Sequence, residues 1–339
     1  MIAVPLPKNM RKSFLLSLLI LAIALLLSIA IGSVFISPVE IWNTVMGHGA
    51  ETSFAILWKI RLPRTALVVL TGAGLGISGA SYQGLFRNPL ADPYLIGVAS
   101  GAGLGAVIAM SFQWPYSFWG FFVVPLAAFA TALLTVAIVY MIARIGHTVP
   151  TTNLILAGVA VSSFATSLTS FLMLRSTDEM RRALGWLLGG SIQTGWTSIL
   201  AVLPFIVMGV SILLASGHAL NLLQFGDDQA QQLGLNVTRT RTIILIAASL
   251  VTATAVSFSG IIGFVGLIVP HLMRMWVGSD YRRLLPLSLI SGASVLLFAD
   301  IISRIVLAPQ EIPVGIVTAL AGAPFFLWVL RRSKNQGFW

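Results

Sequence analysis

The side chains that most often carry out chemistry are sparse in this sequence and do not combine into a catalytic set. Cysteine is absent from the 339 residues, which excludes disulfides and thiolate metal sites. The four histidines lack the close spacing of metal ligands, and no G-x-x-x-x-G-K-[ST] loop is present to cradle the phosphates of ATP. We therefore predict no catalytic residue, no metal site and no cofactor in this chain.

Two polar groups stand in otherwise apolar stretches and need their own explanation. Asp300 lies near the end of an apolar run, and Arg304 follows four residues later. Side chains at this spacing share one face of a helix, so the two predict an internal ion pair that satisfies both charges. His271 follows Pro270 in another apolar run. We interpret it as a packing or hydrogen-bonding residue, with a haem ligand as the alternative.

The elements that position these groups are predicted to be membrane helices. Hydrophobic residues make up 57% of the chain, charged residues only 9%, and the mean hydropathy is +0.96. These values exclude an ordinary soluble domain. Because about 18 apolar residues in a helix can cross a hydrocarbon core about 30 Å thick, the sequence predicts an all-α membrane protein. Its ten spans are residues 13–36, 62–83, 95–112, 118–142, 154–174, 197–215, 242–258, 261–277, 284–302 and 314–330.

The distribution of positive charge predicts how the chain is oriented. The first span lacks a small-x-small cleavage site, so we expect a retained helix rather than a signal peptide. With both termini in the cytoplasm, 13 of the 20 lysines and arginines fall on the cytoplasmic side, as the positive-inside rule favours. We expect a multi-pass protein of the cytoplasmic (inner) membrane. The same rule explains the net charge of +10, and no clustered basic face indicates nucleic-acid binding.

Residues 216–241, which we call the polar segment, are too polar to cross a membrane. The orientation places them in the cytoplasm. Asp227 and Asp228 can cap a short helix, Asp228 and Gln231 have the spacing of a capping box, and Gly234 can end the helix. The polar segment is therefore the predicted contact with a soluble partner. The residues before this helix are apolar enough to pack on the bundle or in a cleft of the partner: Leu220, Leu222, Leu223 and Phe225.

The ten spans divide into two halves of five. An odd number of spans per half means that any structural repeat must be inverted across the membrane. Gly72 and Gly76 are four residues apart, a spacing that favours close helix packing over a pore-lining role. The loop at 84–97 contains two prolines and is predicted to be non-helical. This loop and the turn at 149–153 lie on the same predicted side and can converge on one cytoplasmic opening.

Several long motifs, in order along nearly the whole chain, resemble one family. They include RLPRT at 61–65, SGASYQGLFRNPLADPYLIGVASGAG at 78–103 and GDDQAQQLG at 226–234. Others are SGIIGFVGLIVPHLMRMWVGSDYRRLLPLS at 259–288 and EIPVGIVTALAGAPFFLWVL at 311–330. These motifs resemble the FecCD-type permeases, the membrane subunits of ATP-driven importers for iron-siderophores, haem and cobalamin.

The resemblance implies a single transmembrane permease domain over residues 1–339 with the type II ABC importer permease fold. It implies two permease subunits, a homodimer or close heterodimer with the homodimer preferred, and a pathway along the dimer axis. Two cytoplasmic ABC ATPases would supply ATP hydrolysis with their own ATP and magnesium. An extracytoplasmic substrate-binding protein would dock on the other side. The chain itself would be a transporter subunit and not an enzyme.

The resemblance also assigns roles to particular residues. The polar segment would couple to the ATPase, through Asp227, Asp228, Ala230, Leu233 and Gly234. The cytoplasmic gate would be formed by Asn88, Leu90, Thr151 and Thr152. Arginines suited to bidentate carboxylate binding would dock the binding protein, namely Arg61, Arg64 and Arg304.

The sequence does not fix the cargo. A ferric siderophore is the expected substrate because it is common in the family, with cobalamin and haem as alternatives. A stand-alone secondary transporter is the alternative from another class of protein. It would need neither partner, but the sequence lacks the buried acidic relay expected for ion coupling.

Overall fold

The computed structural model describes residues 8–32, 35–112, 118–146, 148–174, 177–190 and 195–333, and these residues form helices joined by turns. Two other helical turns are a π-helical turn at Ile56–Arg61 and a 3₁₀ turn at Pro93–Ile96. The helices are α1 (Lys8–Ala30), α2 (Pro38–Val45), α3 (Glu51–Ala55), α4 (Leu62–Leu85), α5 (Val98–Met110), α6 (Phe118–Ala143), α7 (Thr151–Met173), α8 (Thr177–Leu187), α9 (Trp196–Ala215), α10 (Gly217–Leu223), α11 (Asp227–Gln232), α12 (Val237–Ser259), α13 (Val265–Val277), α14 (Tyr281–Ile305) and α15 (Val314–Ser333).

Ten of these helices correspond to the ten predicted spans. Across the described residues, seven helices are long and apolar enough to cross a membrane, and α5, α13 and α15 are shorter apolar helices. The boundaries of α5 and α13 differ from the prediction because irregular backbone precedes each of them. Gly97 has φ +87° before α5, and Phe264 has φ +69° before α13. Positive φ interrupts helical geometry without changing hydropathy, so the apolar runs conceal these breaks.

The two predicted halves contain helices of similar lengths in the same order, whereas the inversion of a repeat stays a prediction. The first half contains α1, α4, α5, α6 and α7, and the second contains α9, α12, α13, α14 and α15. The third helix of each half is short, with 13 residues in both α5 and α13. The second helix of each half packs against the fourth helix of the other, α4 against α14 and α12 against α6.

Glycines allow the central pair of helices, α4 and α14, to pack closely. A Cβ atom on Gly72 would lie 2.5 Å from the carbonyl oxygen of Gly292, and one on Gly76 would collide with the carbonyl of Ser288. Gly292 faces back onto the carbonyl of Gly72. The small residues thus let two backbones touch, which supplies packing energy in a lipid environment. The packing interpretation of the glycine spacing is confirmed.

Candidate functional site

The polar segment forms two short helices, α10 and α11, and its last residues, 237–241, already belong to α12. Helix α10 packs on the bundle. Leu220 and Leu223 are fully buried. Leu220 meets α4 and α14 at Gly84, where an added Cβ would lie 2.8 Å from both Leu220 Cδ2 and the ring of Tyr281. Of the four apolar residues predicted to pack on the bundle or in a cleft of a partner, Leu220 and Leu223 thus pack on the bundle, whereas Phe225 is exposed.

Hydrogen bonds tie α10 to the beginning of α14. The Asn221 side chain donates through Nδ2 to Asp280 Oδ1 at 2.6 Å and accepts from the Tyr281 backbone N–H at 2.8 Å. Asp280 also caps α14, because its Oδ1 accepts from the Arg282 N–H at 3.0 Å. One carboxylate thus holds both the helix terminus and α10. The sequence motifs did not indicate this contact, whose partners are 59 residues apart.

The predicted N-terminal cap of α11 is wrong, whereas the predicted end of the helix at Gly234 is correct. The helix begins after Gly226, and neither Asp227 nor Asp228 caps it in the way the capping-box spacing suggested. Asp227 instead accepts two hydrogen bonds from Arg241, at 2.8 and 2.9 Å, and a charge-assisted bidentate pair is stronger than a cap bond. Gly234 ends the helix with φ +86°, as predicted.

The five residues assigned to ATPase coupling divide into two groups. Ala230 is completely buried, and Asp227 points toward Arg241. Asp228, Leu233 and Gly234 are exposed. The exposed surface also contains two large apolar side chains, because Phe225 is 64% exposed and Leu233 is 61% exposed. The surface of α10 and α11 that faces away from the bundle therefore combines apolar anchors with polar groups.

The predicted gate loop at 84–97, whose first two residues end α4, is held by its own side chains. Asn88 Oδ1 accepts from the Leu90 N–H at 2.9 Å, and Asp92 Oδ1 accepts from the Tyr94 N–H at 2.8 Å. Burial raises the pKa of Asp92 to about 6, although its backbone hydrogen bond acts in the opposite direction. Tyr94 in turn donates its hydroxyl proton to the Ile262 carbonyl at 2.8 Å. The loop is thus ordered by turns, as its two prolines predicted.

The second predicted gate element begins α7, directly after Pro150. Thr151 lines a cavity together with Phe86, which is two residues before Asn88, and with Arg241. Thr152 is exposed. The structure therefore brings the two gate segments together through Phe86 and Thr151, beside the arginine that holds Asp227.

The opposite end of the bundle contains the three arginines predicted to dock a binding protein. Arg64 donates through Nε and Nη2 to Asp300 Oδ1, at 3.0 and 2.9 Å, and through Nη1 to Glu311 Oε2 at 2.6 Å. Arg304 lies 3.0 Å from Asp300 Oδ2. The predicted pair of Asp300 and Arg304 is confirmed, and Asp300 is completely buried.

The other donors of this cluster hold the end of α1. Arg61 donates to the carbonyls of Ile29 and Ala30 at 2.6 and 2.8 Å, and Arg304 donates to that of Ile31 at 2.9 Å. Both arginines are buried. They satisfy carbonyls that the helix end leaves without partners. In this conformation they therefore serve the fold, and their docking role stays a prediction.

Within the described part of the chain, no group of three His, Asp or Glu side chains could hold a metal ion. His271 lies on α13, beyond Pro270, and its Nδ1 is buried. No second histidine or carboxylate of the described residues joins it in such a group. A packing role remains the simpler interpretation of His271.

The arrangement of helices is shared with a solved transporter. The structure of a metal-chelate type ABC transporter in an inward-facing conformation matches with a TM-score of 0.82 and 31% identity, over 95% of this chain and 99% of that chain. The protein is therefore the multi-pass permease component of an ABC importer. In this class the ATPase is a separate subunit, the permeases are arranged as dimers, and a binding protein completes the system.

Sequence comparison gives the family. The model of the FecCD transport family matches residues 20–332, and the chain belongs to this family. It is similar to the cobalamin import system permease protein BtuC of Halobacterium salinarum, at 49% identity over 84% of this chain and 75% of that protein. It is also similar to the hemin transport system permease protein HmuU of Yersinia pestis, at 38% identity over 97% of both chains. The resemblance stated from the motifs is confirmed.

Proposed function

We propose that this chain is the permease subunit of an importer for cobalamin, with haem as the second candidate. The identity of 49% with a permease named for cobalamin import supports the first, and the relative named for hemin transport supports the second. No specific observation favours the ferric siderophore that was expected from the sequence, so a siderophore becomes the control substrate. The importer would act in the inner membrane with both permease termini in the cytoplasm.

The exposed apolar pair on the polar segment carries the proposal of ATP-driven import. Phe225 and Leu233 would cost free energy in water, and exposed apolar side chains rimmed by polar groups mark contact sites. Their neighbours Asp228 and Gly234 are exposed as well. We assign this surface to an ATPase subunit, because a permease that lacks a phosphate loop needs a separate subunit to hydrolyse ATP. The gate would lie directly above it, at Asn88, Leu90, Thr151 and Thr152.

The exposed face of α7 supports a pathway between two copies of the chain. The helix packs against α5 and α6 on its other side. Hydroxyl groups facing lipid are less favourable than hydroxyl groups facing water or protein. We infer that this face borders a hydrated pathway in a homodimer. Its exposed polar side chains repeat at helical spacing: Thr152, Ser163, Thr166, Ser167 and Ser170.

At the opposite end, the docking of a binding protein would use Arg64 more readily than Arg61 or Arg304. Arg64 already binds a partly exposed carboxylate, Glu311, at the surface. An acidic side chain of a binding protein could share that guanidinium, since arginine presents several donors in one plane.

The test is uptake into vesicles that contain the purified permease. The importer is assembled with its ATPase and binding protein, and radiolabelled cyanocobalamin, haemin and a ferric siderophore are compared at equal concentration. We expect uptake of cyanocobalamin that requires ATP and both partners. Uptake driven by an ion gradient without the ATPase would instead identify a secondary transporter, and siderophore uptake alone would overturn the choice of cargo.

A further inference from the structure

Asp227 is a half-exposed residue at the start of α11 whose carboxylate binds arginines from other parts of the chain. Its carboxylate receives both terminal nitrogens of Arg241, from Nη2 to Oδ1 at 2.8 Å and from Nη1 to Oδ2 at 2.9 Å. Arg87 Nη2 approaches the same Oδ1 at 3.6 Å. One carboxylate therefore lies between two guanidinium groups that come from different parts of the chain.

One of these arginines lies in the proposed gate loop, and the other lies on α12 beside both gate segments. Arg87 is the residue before Asn88 in the gate loop, and its φ of +49° is uncommon for a side chain of this size. Arg241 lies in α12 and lines the same cavity as Phe86 and Thr151. Asp227 thus contacts the gate loop directly and, through Arg241, reaches the cavity that Thr151 lines at the beginning of α7.

The two contacts differ in strength. The pair with Arg241 is bidentate and short, with side chains that are 14% and 41% exposed, so it is the stronger of the two contacts. The contact with Arg87 is longer, and that side chain is 43% exposed. Exposed pairs of this kind contribute little and exchange readily with water. A displacement of α11 would therefore pull on the Arg241 side chain at the start of α12 and change the distance from Asp227 to Arg87.

We propose that Asp227 is a positioning residue that transmits movement of α11 to the gate, and that it does not itself hold the ATPase. The inference rests on the proposed function, and it separates Asp227 from the residues grouped with it in the sequence motif. Leu233 and Phe225, which lie just after and just before α11, hold the ATPase. Asp227 and its two arginines form the inner connection.

The test compares Asp227→Asn with Leu233→Ala in the assembled importer. Three quantities are measured: the ATPase that copurifies with the permease, the rate of ATP hydrolysis, and the substrate imported per ATP hydrolysed. We expect Asp227→Asn to retain the ATPase but to lower import per ATP by about fivefold or more, the low end of typical coupling effects. Leu233→Ala is expected to lose the ATPase.

Two further variants distinguish a loss of coupling from a loss of folding. The exchange of both charges, Asp227→Arg with Arg241→Asp, rebuilds the pair and should recover part of the import per ATP. Glu51→Gln removes an exposed carboxylate at the opposite end of the bundle and should leave all three quantities unchanged.

The inference is overturned if Asp227→Asn loses the ATPase to the same extent as Leu233→Ala, or if its import per ATP equals that of the wild type. A wild-type importer that shows no ATP-dependent uptake would remove the proposed function and this inference together. Failure of the inference alone is therefore recognised by a functional wild type.

Discussion

The buried carboxylate at the end of α14 offers the sharpest test of the structure. Asp300 is completely buried, whereas Glu311 is 46% exposed, yet both bind the same guanidinium of Arg64. The change of Asp300 to Asn leaves three arginines with one carboxylate. Removing one partner of a buried ion pair costs about 3–5 kcal/mol. The change of Glu311 to Gln breaks an exposed pair and should cost about 0–1 kcal/mol.

The assay is thermal unfolding of the purified permease in one detergent, followed by the fluorescence of its nine tryptophans. We use a shift of roughly 2 °C per kcal/mol, the low end for chains of 150–250 residues, because this chain is longer. Asp300→Asn should then lower the Tm by about 6–10 °C, and Glu311→Gln should lower it by about 2 °C at most.

The comparison has a clear negative outcome. Equal shifts in Tm for the two variants would mean that burial does not determine how much each carboxylate contributes to stability. The assigned network would then be wrong. A large shift for Glu311→Gln alone would place the important contact at the surface. Both variants keep the size and shape of the side chain, so loss of packing cannot explain a difference between them.

Three other changes, the first with a matched control, test separate parts of the structure. Gly76→Val should cost about 1–3 kcal/mol because its Cβ collides with the backbone of α14, whereas Gly185→Ala, which has open space around it, should be neutral or slightly stabilising. Tyr82→Phe should cost about 0.5–1.5 kcal/mol, since it removes the buried hydrogen bond of 2.7 Å to Ser249; an unchanged Tm would contradict that bond. Gly234→Ala should cost about 1–2 kcal/mol of local stability through its positive φ, and copurification of less ATPase would report the loss of α11.

The helices were predictable because a membrane-spanning helix needs about 20 consecutive apolar residues, and hydropathy can be read from each residue separately. The irregular backbone between α12 and α13 was not, since residues 260–264 are as apolar as their neighbours. Gly260 and Phe264 both have positive φ, and a single sequence carries no signal for a phenylalanine in that conformation. The predicted span at 261–277 therefore starts four residues before the helix does.

The site was predictable where the relevant contacts are local. The stop of α11 at Gly234 and the pair of Asp300 with Arg304 depend on residues at most four apart. The partners of Asp227 could not be predicted from the local sequence, because Arg87 lies 140 residues before it. The capping pattern also favoured a local role for this carboxylate. Hydrogen bonds between charged groups outcompeted the cap once the fold had brought the arginines close.

One helix connects the two ends of the molecule, and its packing decides how a movement can travel. Helix α4 runs from Arg64, which binds Asp300 and Glu311, to Gly84 beneath α10, three residues before Arg87. Between them its glycines touch the backbones of α13 and α14, where tightly packed interfaces deform little. We therefore expect a force on Arg87 to move the gate loop alone or the three helices as one body. Bending of α4 at Gly76 would need space that the carbonyl of Ser288 already occupies.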